Sequence, residues 1–103
     1  MATKAYYQQN KSRYIARARE QRELRQSAVS MWKLERGCAD CGYADHPQAL
    51  EFDHPPGTKS GTIGNMVQAA RPWDVLLDEI EKCEVVCANC HRVRTHERFT
   101  RAS

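Results

Sequence analysis

The chain has 103 residues, of which 41% are hydrophobic and 28% charged, and its mean hydropathy is −0.76. This length allows one domain with a modest core. The chain contains no run of about 18 apolar residues, so we expect no membrane span. The first residues lack the apolar segment of a secretion signal. We therefore expect a cytoplasmic protein without membrane contact, in which cysteines serve metal binding more often than disulfides.

The net charge of +3 is unevenly distributed along the chain. Residues 1–36 contain nine Lys or Arg and three Glu, a net +6, whereas residues 37–103 contain seven Lys or Arg and ten acidic residues, a net −3. A basic segment joined to a cysteine-rich one favours a polyanionic partner, most simply DNA or RNA. The alternative is a solvated helix with a biased surface.

The first segment is predicted to be helical. Residues 4–35 contain no Gly or Pro and are rich in good helix formers. They predict one long helix or two shorter ones, with Asn10 or Ser12 as an internal cap in the second case. Gly37 is expected to end this helix. We expect residues 1–36 to be a basic, helical DNA-binding arm.

The remaining elements are short. A strand is predicted over residues 49–54, where prolines stop it, and residues 57–70, with three glycines, predict a flexible loop. A helix is expected from position 72 to about 82, a strand over 84–87, and a last helix from about 89 to 99. Among single residues, we expect Trp32 and Trp73 to anchor the core and His46 to lie in a loop.

Two Cys-x-x-Cys pairs are the strongest motif in the chain: the first knuckle, Cys38 to Cys41, and the second knuckle, Cys87 to Cys90. Four thiolates at this spacing can close a tetrahedral zinc site. Structural zinc contributes on the order of 10 kcal/mol to the folding of small modules, a large supplement for a small core. The fifth cysteine, Cys83, has no knuckle partner and is expected to be a small buried hydrophobic residue.

The order of motifs is Cys38-x-x-Cys41, then Leu50-Glu51-Phe52-Asp53-His54, then Cys87-Ala88-Asn89-Cys90-His91-Arg92, with Thr95 four residues beyond His91. This combination resembles the HNH endonuclease family and, more narrowly, the small zinc-containing, free-standing HNH proteins of bacteriophages and their hosts. The likeness covers residues 37–96. It implies an α+β fold, a ββα-metal, treble-clef-like zinc module that here follows a basic N-terminal helix. Residues 37–103 would form this nuclease domain.

The resemblance also implies a role for three side chains. Asp53 and His91 would ligate a divalent ion, and His54 would be the general base that takes a proton from the attacking water. A divalent cation neutralises a scissile phosphate, and an imidazole can accept a proton at neutral pH. Mixed oxygen and nitrogen ligation with open positions suits Mg²⁺ or Mn²⁺, with Ni²⁺ or Co²⁺ as substitutes.

The chain departs from the family pattern at two positions. The middle Asn of the family usually stands five residues before the second knuckle, where this chain has Lys82. Asn65 or Asn89 could orient the base histidine instead, and the sequence leaves both open. A further metal-ligating His is often four residues beyond the first, but that position is Thr95, and His96 lies off the His91 face of a helix.

Phosphate contacts are expected from the guanidinium and ammonium groups near this site: Arg92, Arg94, Arg98 and Lys59. The family implies DNA cleavage to a 5′-phosphate and a 3′-hydroxyl. One active site per chain predicts nicking by a monomer, whereas double-strand breaks would need a dimer or two sequential nicks; we expect a monomer or a weak homodimer. Phage relatives suggest a phage-encoded protein, active in the bacterial cytoplasm and partnered with a packaging terminase. The alternatives are a non-catalytic zinc module that binds nucleic acid, and a ribonuclease.

Overall fold

The computed structural model describes residues 4–102, with side chains described for residues 10–100. Its elements in chain order are α1 (Lys4–Arg36), a 3₁₀ turn (Pro47–Ala49), β1 (Leu50–Asp53), α2 (Ile63–Gln68), α3 (Trp73–Glu81), β2 (Glu84–Cys87) and α4 (Ala88–Ala102). The α+β class expected from the sequence is confirmed. Within the described residues, no helix has the length and apolar character that a bilayer crossing requires.

The first helix is continuous over 33 residues, so Asn10 and Ser12 lie inside it and not at the start of a second helix. It ends at Gly37, as expected, where the Gly37 N–H donates to the Lys33 carbonyl at 2.8 Å. The φ of Gly37 is 66°, in the left-handed region. A Cβ here would lie 3.2 Å from the Ala44 Cβ and 3.2 Å from the Tyr43 carbonyl oxygen. Glycine is therefore required where the chain turns from α1 into the first knuckle.

The first core cluster joins α1 to α2 and α3. Its buried members are Val29, Ile63, Val67, Leu76 and Ile80. Because Val29 is 3% exposed within this cluster, the second half of α1 belongs to the packed body of the protein. Residues 11–20 are all exposed. The division into an arm and a nuclease domain at residue 36 stays a prediction, and residues 11–20 are the part of α1 that is described as clear of the core.

A short two-stranded sheet, whose strands are separated in the chain by α2 and α3, carries the second core cluster. Strands β1 and β2 pair antiparallel with Leu50 opposite Cys87 and Asp53 opposite Glu84. The buried members of this cluster are Cys38, Leu50, Val85, Val86 and Cys87. The Ala39 N–H donates to the Val85 carbonyl at 2.8 Å and ties the first knuckle to β2. The pairing of β1 with β2 thus brings the two knuckles together at one end of the sheet.

The prediction of a flexible loop over residues 57–70 is wrong for residues 63–68, which form α2. Ile63 and Val67, four residues apart, both face the first core cluster, and this burial outweighs the low helix propensity of Gly64. The glycines in this segment give it a composition typical of loops. The helical spacing of Ile63 and Val67 becomes significant only because both are buried in the core.

The two tryptophans differ. Trp32 packs against both core clusters, as expected. The prediction that Trp73 anchors the core is wrong, because this residue is 39% exposed. Its ring is covered by the guanidinium of Arg25, 4.5 Å from the ring centroid. Arg25 is itself buried and donates from Nε to the Arg71 carbonyl at 2.8 Å, so the pair pins α1 to the start of α3.

Candidate functional site

The four knuckle cysteines converge on one point. Their Sγ atoms all lie within 4.8 Å of one another, and those of Cys41 and Cys87 are 3.8 Å apart. Backbone N–H groups donate to two of the sulfurs, Cys41 N–H to Cys38 Sγ and Cys90 N–H to Cys87 Sγ, each at 3.4 Å. We call these four residues the cysteine cluster. They are positioned to hold a metal ion, and four thiolates are the donor set of structural zinc.

The local electrostatics favour a thiolate at Cys38. Burial would raise the pKa of this thiol, but hydrogen bonds from the backbone of Cys87, Cys41 and Asp40 lower it to about 6. Metals bind the deprotonated thiol. The backbone therefore prepares at least one ligand of the cysteine cluster for metal binding.

Cys83 does not take part in the cysteine cluster. It is half-buried against the first core cluster, and its thiol donates to the Glu79 carbonyl at 3.4 Å. Burial raises the pKa of Cys83 to about 11. The expected role as a small hydrophobic residue is therefore confirmed, with partial rather than complete burial.

Asp53 and His91 meet between the end of β1 and the first turn of α4. The Nε2 atom of His91 lies 3.5 Å from Oδ1 of Asp53, and its Nδ1 atom lies 2.6 Å from Oε1 of Glu51. A carboxylate only accepts hydrogen bonds, so the contact with Glu51 requires a proton on Nδ1, and in the neutral form of the imidazole the Nε2 atom that faces Asp53 would carry the lone pair. Two ligands held by one divalent ion at about 2.1 Å each are separated by about 3.0–3.4 Å. The 3.5 Å between His91 Nε2 and Asp53 Oδ1 lies just beyond this range, so the two atoms are close to, but not at, the spacing of two ligands on one ion.

Two arginines on α4 also contact the Asp53 carboxylate. Arg98 donates from Nη1 and Nη2 at 2.7 Å each, and Arg94 donates from Nη1 at 2.8 Å. Hydrogen bonds from Arg98 are the main reason that the pKa of Asp53, which is 3% exposed, falls to about 2, against the opposing effect of burial. The carboxylate is thus ionised and fixed at neutral pH.

Arg94 also binds two further carboxylates. It donates to both oxygens of Asp40 in the first knuckle, at 2.7 and 2.6 Å, and to Glu84 at 3.0 Å. Its Nε, Nη1 and Nη2 atoms are all engaged inside the protein, whereas the Arg98 side chain remains 42% exposed. Arg94 therefore connects the first knuckle and both strands to α4, a role that the sequence analysis did not predict.

His54, one residue beyond Asp53, contacts α3 rather than α4. Its Nε2 atom lies 2.7 Å from Oε2 of Glu79. Asn65 and Asn89 are exposed, and among residues 10–100 neither hydrogen-bonds His54. Sequence reasoning missed Glu79, although a signal existed. Glu79 falls on the buried face of α3 between Leu76 and Ile80, where a carboxylate needs partners.

Two clefts flank these side chains. One, of about 350 Å³, is lined by His54 and by two lysines, Lys33 of α1 and Lys59, together with Glu51. The other, of about 260 Å³, is lined by His91, Arg92 and Thr95, again with Glu51. His96 is exposed on α4. Glu51 thus lies where the two clefts approach each other, and cationic side chains border both.

The fold and its cysteine cluster define a small α+β module with four cysteines positioned to hold a metal ion. Comparison of the chain with protein-family models, curated proteins and solved structures found no match. Any assignment of activity therefore depends on the arrangement of its own side chains.

Proposed function

We propose that this protein is a zinc-stabilised, cation-dependent endonuclease of the HNH type that hydrolyses phosphodiester bonds in DNA. The observation that carries the proposal is the 3.5 Å approach of Asp53 Oδ1 and His91 Nε2. This contact lies where β1, β2 and α4 meet, His91 directly follows Cys90 of the cysteine cluster, and His54 directly follows Asp53. Two strands and a helix around this pair support a ββα-metal unit.

In the proposed site, Asp53 and His91 hold a divalent cation, Mg²⁺ or Mn²⁺, while the cysteine cluster holds zinc. When bound, the cation supplies charge neutralisation of the scissile phosphate and of the leaving oxygen. His54 accepts the proton of the attacking water. Glu51 keeps the Nδ1 proton of His91 in place and so leaves the Nε2 atom free to ligate.

DNA as the substrate is supported by the distribution of cations. The exposed segment of α1 presents four basic side chains: Lys11, Arg13, Arg17 and Arg19. Lys33 and Lys59 line the cleft next to His54, and Arg92 lines the cleft next to His91. Such groups bind the phosphate backbone without reading the sequence, and the binding is sensitive to salt. A phage-encoded role beside a packaging terminase is part of the proposal that depends on the family resemblance.

A plasmid-nicking assay tests this function. The zinc-loaded protein is incubated with supercoiled DNA and Mg²⁺ or Mn²⁺, and we expect nicked circles from the wild type and none from His54→Ala. The matched control is His46→Ala, because His46 is an exposed loop histidine. Zinc content and DNA affinity are measured for each variant and are expected to be unchanged.

One observation favours the alternative, a non-catalytic zinc module that binds nucleic acid. Both oxygens of Asp53 accept hydrogen bonds from Arg94 and Arg98, an arrangement that also suits a purely structural carboxylate. Tight DNA binding with no cleavage under Mg²⁺, Mn²⁺, Ni²⁺ or Co²⁺ would establish this alternative. Faster cleavage of single-stranded RNA than of supercoiled DNA would instead indicate a ribonuclease.

A further inference from the structure

The contact between α3 and the end of β1 points to a positioning residue that the HNH pattern does not supply. We propose that Glu79 fixes the tautomer and orientation of His54, so that Nε2 carries the imidazole proton and Nδ1 is the basic nitrogen. This inference rests on the proposed function, since His54 needs a defined basic nitrogen only if it accepts a proton during the reaction.

Glu79 is held in place by donors on both of its oxygens. It is 2% exposed, and its Oε2 atom lies 2.7 Å from His54 Nε2 and 3.1 Å from the Ser60 N–H. Its Oε1 atom accepts from Lys82 Nζ at 3.0 Å, and the same ammonium donates to Ser60 Oγ at 2.8 Å. The carboxylate thus has a fixed direction, with Oε2 directed at the imidazole.

The ionised state of Glu79 determines which ring nitrogen carries the proton. Burial alone would raise the pKa of this carboxyl, but hydrogen bonds from Lys82, the Ser60 N–H and His54 lower it to about 2. An ionised carboxylate accepts hydrogen bonds and donates none. The nitrogen that faces it must therefore be protonated, and in the neutral form of the imidazole the lone pair is then on Nδ1. Carboxylates orient histidines in the same way beside metals and in catalytic triads.

Burial of Glu79 has a cost that argues for a specific role. Its neighbours on the inner face of α3, Leu76 and Ile80, are 0% and 2% exposed. An apolar side chain at position 79 would therefore fit this face without the free-energy cost of removing a carboxylate from water. A buried carboxylate is tolerated only with several donors. Compared with the side-chain amide of an asparagine, which can turn either its oxygen or its nitrogen to the ring, a carboxylate enforces a single tautomer.

The tautomer can be measured without any nuclease assay. Long-range ¹H–¹⁵N spectra of the zinc-loaded, full-length protein distinguish a protonated ring nitrogen from an unprotonated one, and His54→Ala identifies the His54 signals. We expect the Nε2–H tautomer in the wild type. In Glu79→Gln we expect a mixture of tautomers or the Nδ1–H form. Glu81→Gln is the matched control, since Glu81 is exposed on the same helix, and it should leave the spectrum unchanged.

Kinetics supply the second readout. In Glu79→Gln we expect kcat for plasmid nicking to fall by about 10²–10⁴-fold with KM nearly unchanged, whereas Glu81→Gln should match the wild type. A wild-type His54 in the Nδ1–H form, or a Glu79→Gln variant with the wild-type tautomer and kcat, would overturn the inference. Should the wild type never nick DNA, the proposed function fails, while the spectra still decide whether Glu79 positions His54. The wild-type spectrum is decisive even if Glu79→Gln does not fold.

Discussion

Replacement of Cys90 by serine is the sharpest test of the cysteine cluster. Structural zinc contributes on the order of 10 kcal/mol to a small module, whereas the whole stability of a domain of this size is about 5–15 kcal/mol. Of the five buried residues in the second core cluster, Cys38 and Cys87 are themselves proposed ligands. Apolar packing alone therefore contributes little to the stability of the two-stranded sheet. We therefore expect Cys90→Ser to lose zinc and to unfold at room temperature.

Zinc per chain is measured by atomic emission, and unfolding is followed by circular dichroism. The matched control is Cys83→Ser, because Cys83 lies outside the cysteine cluster and a serine hydroxyl can keep its hydrogen bond to the Glu79 carbonyl. This control should retain one zinc and lose less than about 1.5 kcal/mol of stability. Zinc release by Cys83→Ser would show that the ligand set is wrong. Retention of zinc by Cys90→Ser would remove Cys90 from the ligand set, and loss of zinc with the wild-type melting temperature would refute a structural metal.

Three further changes test the core, the ion network and the basic helix. Leu76→Ala should lower the free energy of unfolding, measured in urea, by about 2–5 kcal/mol, because Leu76 is fully buried. Its control is Leu77→Ala, which should lower this free energy by less than about 1 kcal/mol because Leu77 is half-exposed. Arg94→Met should cost about 1–3 kcal/mol, since it removes donors from the buried Asp53 carboxylate, and Arg92→Met, at an exposed position, should be nearly neutral. Replacing the three arginines over residues 13–19 with Gln should make the DNA-binding constant less sensitive to salt. The slope of its logarithm against the logarithm of the salt concentration, measured by fluorescence anisotropy with duplex DNA, should decrease in magnitude by up to about 3. An unchanged slope would mean that α1 does not touch the DNA backbone.

Local sequence signals were sufficient for most of the fold. The absence of Gly and Pro over residues 4–35 predicted α1, and Gly37 marked its end, because these signals act within a turn of helix. The two knuckles predicted the cysteine cluster because the spacing within each pair allows its two thiolates to bind the same metal ion. Helix α2 escaped prediction, since Ile63 and Val67 become a helical signal only when α1 and α3 supply the surface that buries them.

The polar partners of the site could not be predicted from local patterns. His54 and Glu79 are separated by 25 residues, and Asp53 and Arg94 by 41. The place of Glu79 on the inner face of α3 signals that this carboxylate needs partners, but nothing in the residue types makes His54 one of them, or chooses Asp53 over a phosphate as the partner of Arg94. Which side chains become partners depends on how α3 and α4 pack against the two-stranded sheet. The motif identified Asp53 and His54, whereas the packing of α3 and α4 decides that Glu79 and Arg94 contact them.

Asp53 is the residue at which the nuclease proposal and its alternative make opposite predictions. If Asp53 ligates a cation beside His91, Asp53→Asn should weaken Mn²⁺ binding at least tenfold, measured by electron paramagnetic resonance on zinc-loaded protein. If Asp53 only accepts hydrogen bonds from Arg94 and Arg98, the substitution should lower the melting temperature and leave Mn²⁺ binding unchanged. Glu84→Gln is the matched control, because Glu84 also bonds Arg94 but lies exposed on β2. Equal Mn²⁺ affinity in Asp53→Asn, Glu84→Gln and the wild type would remove the cation from this pair of side chains, and with it the argument for hydrolysis.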